Sequence, residues 1–236
     1  MSYETITTTT EVELENLRYR LLAMGELVET QVRDAVRALN SGDPNLAEAV
    51  ITKEAEVNAL ELKLDNACTE LIALRQPEAV DLRRVLTAAK VVSNLEQIGD
   101  HAKRIAKYAM ALSEINVVQA RKVTDVEILA DLSLATLREA LTAYSHLDST
   151  TAQAVIDRDP ALDDRSQAIT RQLFSFAMED PRLMTWALLV AAAAKTVERV
   201  GHQATKIAQH TIYAVEARDV RHRSLGRAAP QPAAAS

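Results

Sequence analysis

The stretches NLEQIGDHAKRIAKY, residues 94–108, and TVERVGHQATKIAQH, residues 196–210, are two copies of one pattern at a constant offset. In both copies a glutamate, a glycine and a set of apolar residues recur at the same places. The matched pairs are Glu96 and Glu198, Ile98 and Val200, Gly99 and Gly201, Ala102 and Ala204, Ile105 and Ile207, and Ala106 and Ala208. One position differs, because the second copy has His202 where the first has Asp100. A repeat at this separation predicts an internal duplication of one structural unit.

Apolar residues recur at spacings of three and four along most of the chain, which is the pattern of amphipathic α-helices. No segment alternates with a period of two for long enough to predict a sheet. The predicted helices cover 11–40, 44–76, 78–109, about 126–147, about 150–178 and about 182–216. Asp43 and Asp180 each precede a proline and are the predicted N-caps of the second and sixth helices.

The short connections between these helices favour antiparallel neighbours, so the predicted fold class is all-α, with two tandem antiparallel three-helix bundles. The first bundle is predicted over 11–114 and the second over 115–218. Residues 1–10 are predicted to form a disordered N-terminus. Residues 219–236, a basic segment rich in alanine and proline, are also predicted to be disordered because they can bury little apolar surface.

Composition narrows the function classes. A formal net charge of −6 and an aromatic content of 3% argue against nucleic-acid binding, which needs basic surfaces and stacking rings. No apolar run approaches the roughly 20 residues of a membrane helix, and the N-terminal sequence lacks the features of a signal peptide. The single cysteine, Cys68, fits a reducing compartment. We therefore expect a cytoplasmic soluble protein that reaches a membrane only through partners.

The first copy of the repeat carries a candidate metal site. Glu96 and Asp100 lie one turn apart on one helical face, where their carboxylates repel unless a cation, a proton or a basic side chain lies between them. Glu54 and Asn58, on the preceding helix, have the same spacing and can converge on that face. Such oxygen ligands suit Mg²⁺, Mn²⁺ or Fe ions. The alternative is ordinary ion pairing, for example with Arg104.

The second half offers the matching set, with Asp159 and Asp163 on the fifth helix and Glu198 and His202 on the sixth. Because imidazole favours softer ions, His202 can ligate Zn²⁺, Ni²⁺ or Fe together with Glu198. The alternative is a histidine that is hydrogen-bonded to a neighbour across the bundle. We expect Glu96 and Asp100 to form the better site for a hard cation.

Two glycines, Gly99 and Gly201, occupy the same place in the two copies of the repeat. A glycine inside a helix costs about 1 kcal/mol relative to alanine. Their recurrence predicts the close approach of a neighbouring helix, or alternatively of a ligand.

Several stretches together resemble the PhoU family of phosphate-specific transport system accessory proteins, over roughly residues 11–225. The stretches are AMGELVETQV, RQPEAVDLR, LEQIGDHAKRIA, FSFAMEDPR, VERVGHQATKIA and ARDVRHRSLG. The resemblance implies two three-helix bundles that each carry acidic metal-binding motifs. The implied ligands present in this chain are Glu54, Glu96, Asp100, Asp159, Asp163 and Glu198. Asn58 and His202 stand where the family usually has aspartate.

Basic residues follow these motifs where family members often have asparagine and glutamate. The residues of this chain are Arg104 and Lys107 in the first copy, and Lys206 and Gln209 in the second. Because cations beside a carboxylate cluster compete with a metal, we expect weak or mononuclear binding of Mg, Mn, Fe or Zn rather than a multi-iron cluster.

The resemblance implies a non-enzymatic negative regulator of phosphate uptake and phosphate-starvation signalling. Its implied partners are the transporter ATPase PstB and the sensor histidine kinase PhoR, and the self-similar halves are compatible with a homodimer. A di-iron type of enzyme is disfavoured because the chain has no Glu-x-x-His motif, phosphate-cradling glycine loop or G-x-S-x-G motif. A structural adaptor without bound metal remains the other alternative.

Overall fold

Six long α-helices and one short 3₁₀ helix make up the fold. The computed structural model describes residues 3–115 and 123–221, with side chains from Thr10 onward. The helices are α1 (Tyr3–Ser41), α2 (Pro44–Arg75), α3 (Ala79–Ser113), α4 (Thr124–His146), α5 (Ser149–Glu179) and α6 (Met184–Glu216), with the 3₁₀ helix at Pro181–Leu183. The described residues contain no strand. The predicted all-α fold is confirmed.

The predicted helix caps are confirmed at both prolines. The side chain of Asp43 accepts hydrogen bonds from the backbone N–H groups of Asn45 and Leu46 at 2.9 and 3.3 Å. Asp180 accepts one from the N–H of Arg182 at 3.0 Å. Each cap satisfies backbone donors that the first turn of a helix leaves unpaired, which stabilises the helix by about 1 kcal/mol.

The N-terminal prediction is corrected. Helix α1 begins at Tyr3, so residues 3–10 belong to a helix and not to a disordered segment. The segment contains threonines at 7–10, which are weak helix formers. No glycine or proline precedes Gly25, however, and α1 continues without a break from this segment into the buried stripe of the first bundle.

The predicted linker and tail are only partly described. Helix α3 ends at Ser113 and α4 begins at Thr124, and residues 116–122 between them lie outside the described residues. Of the predicted tail, residues 222–236 also lie outside the described residues. The described part ends in a turn at Arg221, and the side chain of Val220 before it is buried.

Helices α1 to α3 pack together as one bundle and α4 to α6 as the other. The bundles meet where α3 packs against α6 and α1 against α4, and one continuous apolar cluster runs through both. The central contact is polar at one point, where Asn94 donates to Gln203 and Gln203 donates to Gln97, each at 2.9 Å. The two helices that carry the repeat therefore lie side by side at the centre of the molecule.

The repeated glycines allow close helix packing. A Cβ atom on Gly99 would lie 3.1 Å from Cγ1 of Val57 on α2, and one on Gly201 would lie 2.4 Å from Cδ1 of Leu162 on α5. Both distances are shorter than an ordinary van der Waals contact, so a larger residue would force the facing side chain or its helix to shift. Of the two explanations for these glycines, the structure supports helix packing.

No helix in the described part of the chain combines the length and the apolar character that crossing a bilayer requires.

Candidate metal centres

The first acidic set lies where α2 packs against α3. Glu54 accepts hydrogen bonds from the Lys103 ammonium at 2.7 Å and from the Asn58 amide at 3.3 Å. The hydrogen bond from Lys103 holds the pKa of Glu54 below its usual value, although burial acts in the opposite direction. Asp100 also lies within hydrogen-bonding reach of Glu54. The structure therefore brings the α2 and α3 pairs together, but a lysine already neutralises Glu54.

Glu96, on the same face, has no such cation among the described residues. Burial raises its pKa, and the nearby carboxylates of Asp100, Glu61 and Glu54 raise it further. Glu61 was not among the predicted site residues. It lies two helical turns after Glu54, so a search for a third acidic residue on that face of α2 would have found it. The pKa of Glu61 is raised as well, by burial and then by Asp65 and Asp100.

The second acidic set, between α5 and α6, is centred on His202. Its Nε2 lies 3.1 Å from Oδ1 of Asp163 and 3.9 Å from both Oδ1 of Asp159 and Oε1 of Glu198. Ligand atoms of Asp163, Glu198 and His202 all lie within 4.8 Å of one another. In residues 3–115 and 123–221 no other group of three such side chains meets this spacing. The predicted contact of His202 with a neighbour across the bundle is therefore the contact with Asp163 of α5.

Glu198 is the buried member of the second set, with a side chain that is 1% exposed. Its Oε1 accepts a hydrogen bond from Lys195, whereas its Oε2 is buried and has no hydrogen-bond partner among the described residues. An ionised carboxylate oxygen in that position is destabilising unless a proton or a cation compensates it. One imidazole and two carboxylates suit a transition-metal ion, so the residues present fit such an ion.

The glycine contacts explain why the acidic pairs face each other. Val57 and Leu162, the side chains that touch the two glycines, lie one turn after Glu54 and Asp159 respectively. Close packing at that point places the next turn of α2 against α3, and that of α5 against α6. The glycine of each copy thus sets the separation between the carboxylates of its half.

A family profile described as a PhoU domain matches residues 21–109 and 126–211, one segment in each bundle. The chain belongs to the PhoU family. The duplication inferred from the repeat is therefore the duplication that the profile matches twice.

Full-length relatives agree with this assignment. The phosphate-specific transport system accessory protein PhoU homolog of Pseudomonas putida is 39% identical over 215 residues, which cover 91% of this chain and 84% of the relative. PhoU of Escherichia coli K12 is 34% identical over 210 residues, covering 89% and 86%. The crystal structure of PhoU from Pseudomonas aeruginosa matches with a TM-score of 0.83 at 36% identity, over 88% of this chain and 99% of that one. The predicted family resemblance is confirmed.

The two halves of this PhoU-family chain differ at one contact that matters for a metal. Lys103 of the first copy and Thr205 of the second occupy the same place in the repeat. Lys103 binds Glu54 at 2.7 Å, and the Thr205 hydroxyl donates to Oδ1 of Asp159 at 2.8 Å. In the first half, a lysine of α3 therefore pairs with a carboxylate of the facing helix α2. In the second half the corresponding residue is only a neutral donor, and Lys195 pairs with Glu198 on the same helix.

The sequence favoured Glu96 and Asp100 as the site for a hard cation, whereas the geometry favours the second set. Spacing along one helix could not show that Lys103 would reach Glu54 on another. The alternative pairing with Arg104 does not occur in the described structure, where Arg104 is exposed and makes no ion pair.

Proposed function

We propose that this chain is a non-enzymatic accessory protein of phosphate-specific transport, which restrains phosphate uptake and phosphate-starvation signalling when phosphate is plentiful. The observation that carries the proposal is the match over 91% of the chain to a relative named for this transport system. The fold supports it, since both bundles of a solved PhoU structure recur in the chain with a TM-score of 0.83.

The proposed partners are the transporter ATPase PstB and the sensor histidine kinase PhoR, and the proposed place of action is the cytoplasm. These assignments follow from the family resemblance. Long helices with charged outer faces offer surfaces on which the helices and loops of a partner can dock. We propose a homodimer as the acting unit, which light scattering of the purified chain measures directly.

The second acidic set is proposed to bind one metal ion. Asp163, Glu198 and His202 would hold the ion, and Asp159 lies within reach of the same histidine. A bound ion would link α5 to α6 and neutralise the buried carboxylate of Glu198. We propose weaker binding at Glu54, Glu96 and Asp100 because Lys103 competes there. We propose that the bound metal does not catalyse a reaction on a substrate. The lack of a Glu-x-x-His motif in the sequence supports this proposal.

A strain that lacks its PhoU-family gene and carries a starvation-gene reporter tests the proposal. We expect the reporter to be active in high phosphate in the deletion strain and repressed once this chain is supplied. In parallel, the tagged chain should retain the transporter ATPase and the kinase in a pull-down with and without phosphate and divalent metal. A deletion strain that keeps its reporter repressed in high phosphate would contradict the regulatory role.

A metal-free structural adaptor is the second candidate, and elemental analysis separates the two. We expect a stoichiometric metal in the purified protein that disappears in Glu198→Ala and persists in Glu96→Ala and Asp100→Ala. A protein that carries no metal after purification with added Zn²⁺, Mn²⁺ or Fe²⁺ would favour the adaptor.

A further inference from the structure

A concave groove of about 800 Å³ runs along α6, with α3 on one side and α5 on the other. We call it the α6 groove. The basic and histidine residues that line it are His101 of α3, Arg199, His202, Lys206 and His210 of α6, and Arg221 after α6. The acidic pair of α5 belongs to the opposite wall. The α6 groove therefore adjoins the second acidic set but extends beyond it toward α3.

Two cations in the α6 groove have no neutralising partner among the described residues. Arg199 and Lys206 are two helical turns apart on α6, so they lie on one face, and both are exposed. In residues 3–115 and 123–221 neither has a carboxylate within ion-pairing distance. Arg104 of α3 is exposed and likewise makes no ion pair in that part of the chain. In a chain with a formal net charge of −6, this is a local patch of the opposite sign.

The three cations converge on one buried imidazole. Both ring nitrogens of His101 are buried and lack a hydrogen-bond partner within the described structure. Burial lowers the pKa of His101 to about 4, and Arg104, Arg199 and Lys206 each lower it further. The three cations are therefore close enough to the ring to disfavour another positive charge.

The positive electrostatic potential that acts on His101 also acts on His210, farther along α6. Burial lowers the pKa of His210 to about 4, with further contributions from Lys90, Arg221 and Lys206. Lys206 thus acts on both histidines and lies between them. Arg221 is paired with Asp219, so it adds less free charge than Lys206.

The carboxylates of α5 line the other wall of the groove and make their contacts there. Asp163 pairs with His202 at 3.1 Å, and Asp159 accepts the hydroxyl hydrogen of Thr205 at 2.8 Å. Neither aspartate lies within 4.0 Å of Arg199 or Lys206. The α6 groove therefore has an acidic side toward α5 and a basic side toward α3.

We propose that the basic side of the α6 groove binds a phosphate-type oxyanion, with Arg199 and Lys206 as its charged contacts. The planar guanidinium of arginine matches two oxygens of a phosphate group, and a lysine ammonium supplies a mobile point charge. An anion in this position also relieves the mutual repulsion of the unpaired cations. Small-molecule sites span about 300–1,000 Å³, so the groove admits either free phosphate or a small phosphorylated compound.

The proposed site shares the α6 groove with the metal-binding residues Asp163 and His202, and its test requires neither the transporter nor the kinase. Calorimetric titration of the purified full chain with orthophosphate, and separately with ADP, measures binding in EDTA, which removes any route through a metal. Arg199→Gln/Lys206→Gln removes the two charged contacts at exposed positions. The matched control, Lys53→Gln/Arg171→Gln, removes the same net charge at exposed positions outside the groove.

We expect saturable binding of at least one phosphate compound, about tenfold or more weaker in Arg199→Gln/Lys206→Gln and unchanged in the control. Binding of orthophosphate identifies free phosphate as the ligand, and binding of ADP alone identifies a phosphorylated compound. Absence of binding for both, or equal loss in the two double variants, overturns the proposal. Saturable binding of polyglutamate without binding of phosphate compounds also overturns it, in favour of an acidic protein segment.

Discussion

Replacing Glu198 by glutamine distinguishes a carboxylate that binds metal from one that is only buried. The substitution keeps the size of the side chain but removes the negative charge that Oε2 carries without a partner in the described structure. It also removes the ion pair with Lys195, whose side chain is 56% exposed. Such exposed pairs contribute about 0–1 kcal/mol. Because relief of the buried charge offsets that loss, we expect the free energy of unfolding of the metal-free protein to change by no more than about 1 kcal/mol.

We expect Glu198→Gln to have a much larger effect on the stabilisation that bound metal provides than on the stability of the metal-free protein. A ligand at 100 times its Kd stabilises a folded protein by about 2.7 kcal/mol. In chains of about 150–250 residues, 1 kcal/mol shifts Tm by roughly 2–4 °C, so saturating metal should raise Tm by about 5–10 °C. In Glu198→Gln we expect less than about half of that rise, because the buried anionic ligand is gone.

Thermal unfolding measured in EDTA and then in excess Zn²⁺ or Mn²⁺ at pH 7.5 provides both quantities. Glu56→Gln, the same change at an exposed position of α2, is the control and should respond to metal as the parent does. Equal metal-induced shifts in the parent and Glu198→Gln would refute the assignment of Glu198 as a ligand. Loss of about 3 kcal/mol or more by metal-free Glu198→Gln would show that its charge is needed for stability without metal.

Three further predictions concern the fold. Gly201→Val should lower the free energy of unfolding by ~1–3 kcal/mol in a urea titration, since its Cβ would lie 2.4 Å from Cδ1 of Leu162; an unchanged midpoint would show that the helices can move apart freely. The stability of the parent should fall as pH drops from about 6.5 to about 4, because the folded state holds His101 and His210 neutral while the unfolded chain takes up protons. The double variant His101→Gln/His210→Gln should lose part of that slope in urea titrations across this range, and an identical slope would contradict the assignment. Asp43→Ala should cost about 1 kcal/mol by loss of the α2 cap, measured the same way, and no change would mean that water satisfies those donors equally well.

Local features of the sequence predicted the fold well. The cap at Asp43 depends on residues within one turn, and the stripe that buries Leu21 and Met24 depends on spacing along one helix. The repeat now seen in α3 and α6 was sufficient to predict the division into two bundles. The predicted start of α1 was wrong, since the helix already includes residues 3–10. A helix can extend through weak formers such as the threonines at 7–10 when nothing interrupts it.

The candidate site was predicted less completely because it is built between helices. Spacing showed that Glu96 and Asp100 share a face, but it could not show which side chain of α3 would meet Glu54. Nor could it show that one oxygen of Glu198 is buried without a partner among the described residues. Each of these features depends on how one helix is rotated against its neighbour, which a pattern within a single helix does not specify.

The two halves have diverged in the groups that contact their carboxylates. In each half, three of the four repeated acidic positions keep a carboxylate, but the neutral one changes helix, from Asn58 on α2 to His202 on α6. Asn58 uses its amide to donate to Glu54, which Lys103 also contacts, so protein groups alone compensate the charge of Glu54 in the first half. His202 instead presents a ring nitrogen to carboxylates on both helices, where Thr205 adds no charge. Divergence after the duplication has therefore left the first half with a lysine that links α3 to α2. The second half has the Lys195–Glu198 pair within α6 and, between α5 and α6, a histidine and carboxylates that a metal ion would complete.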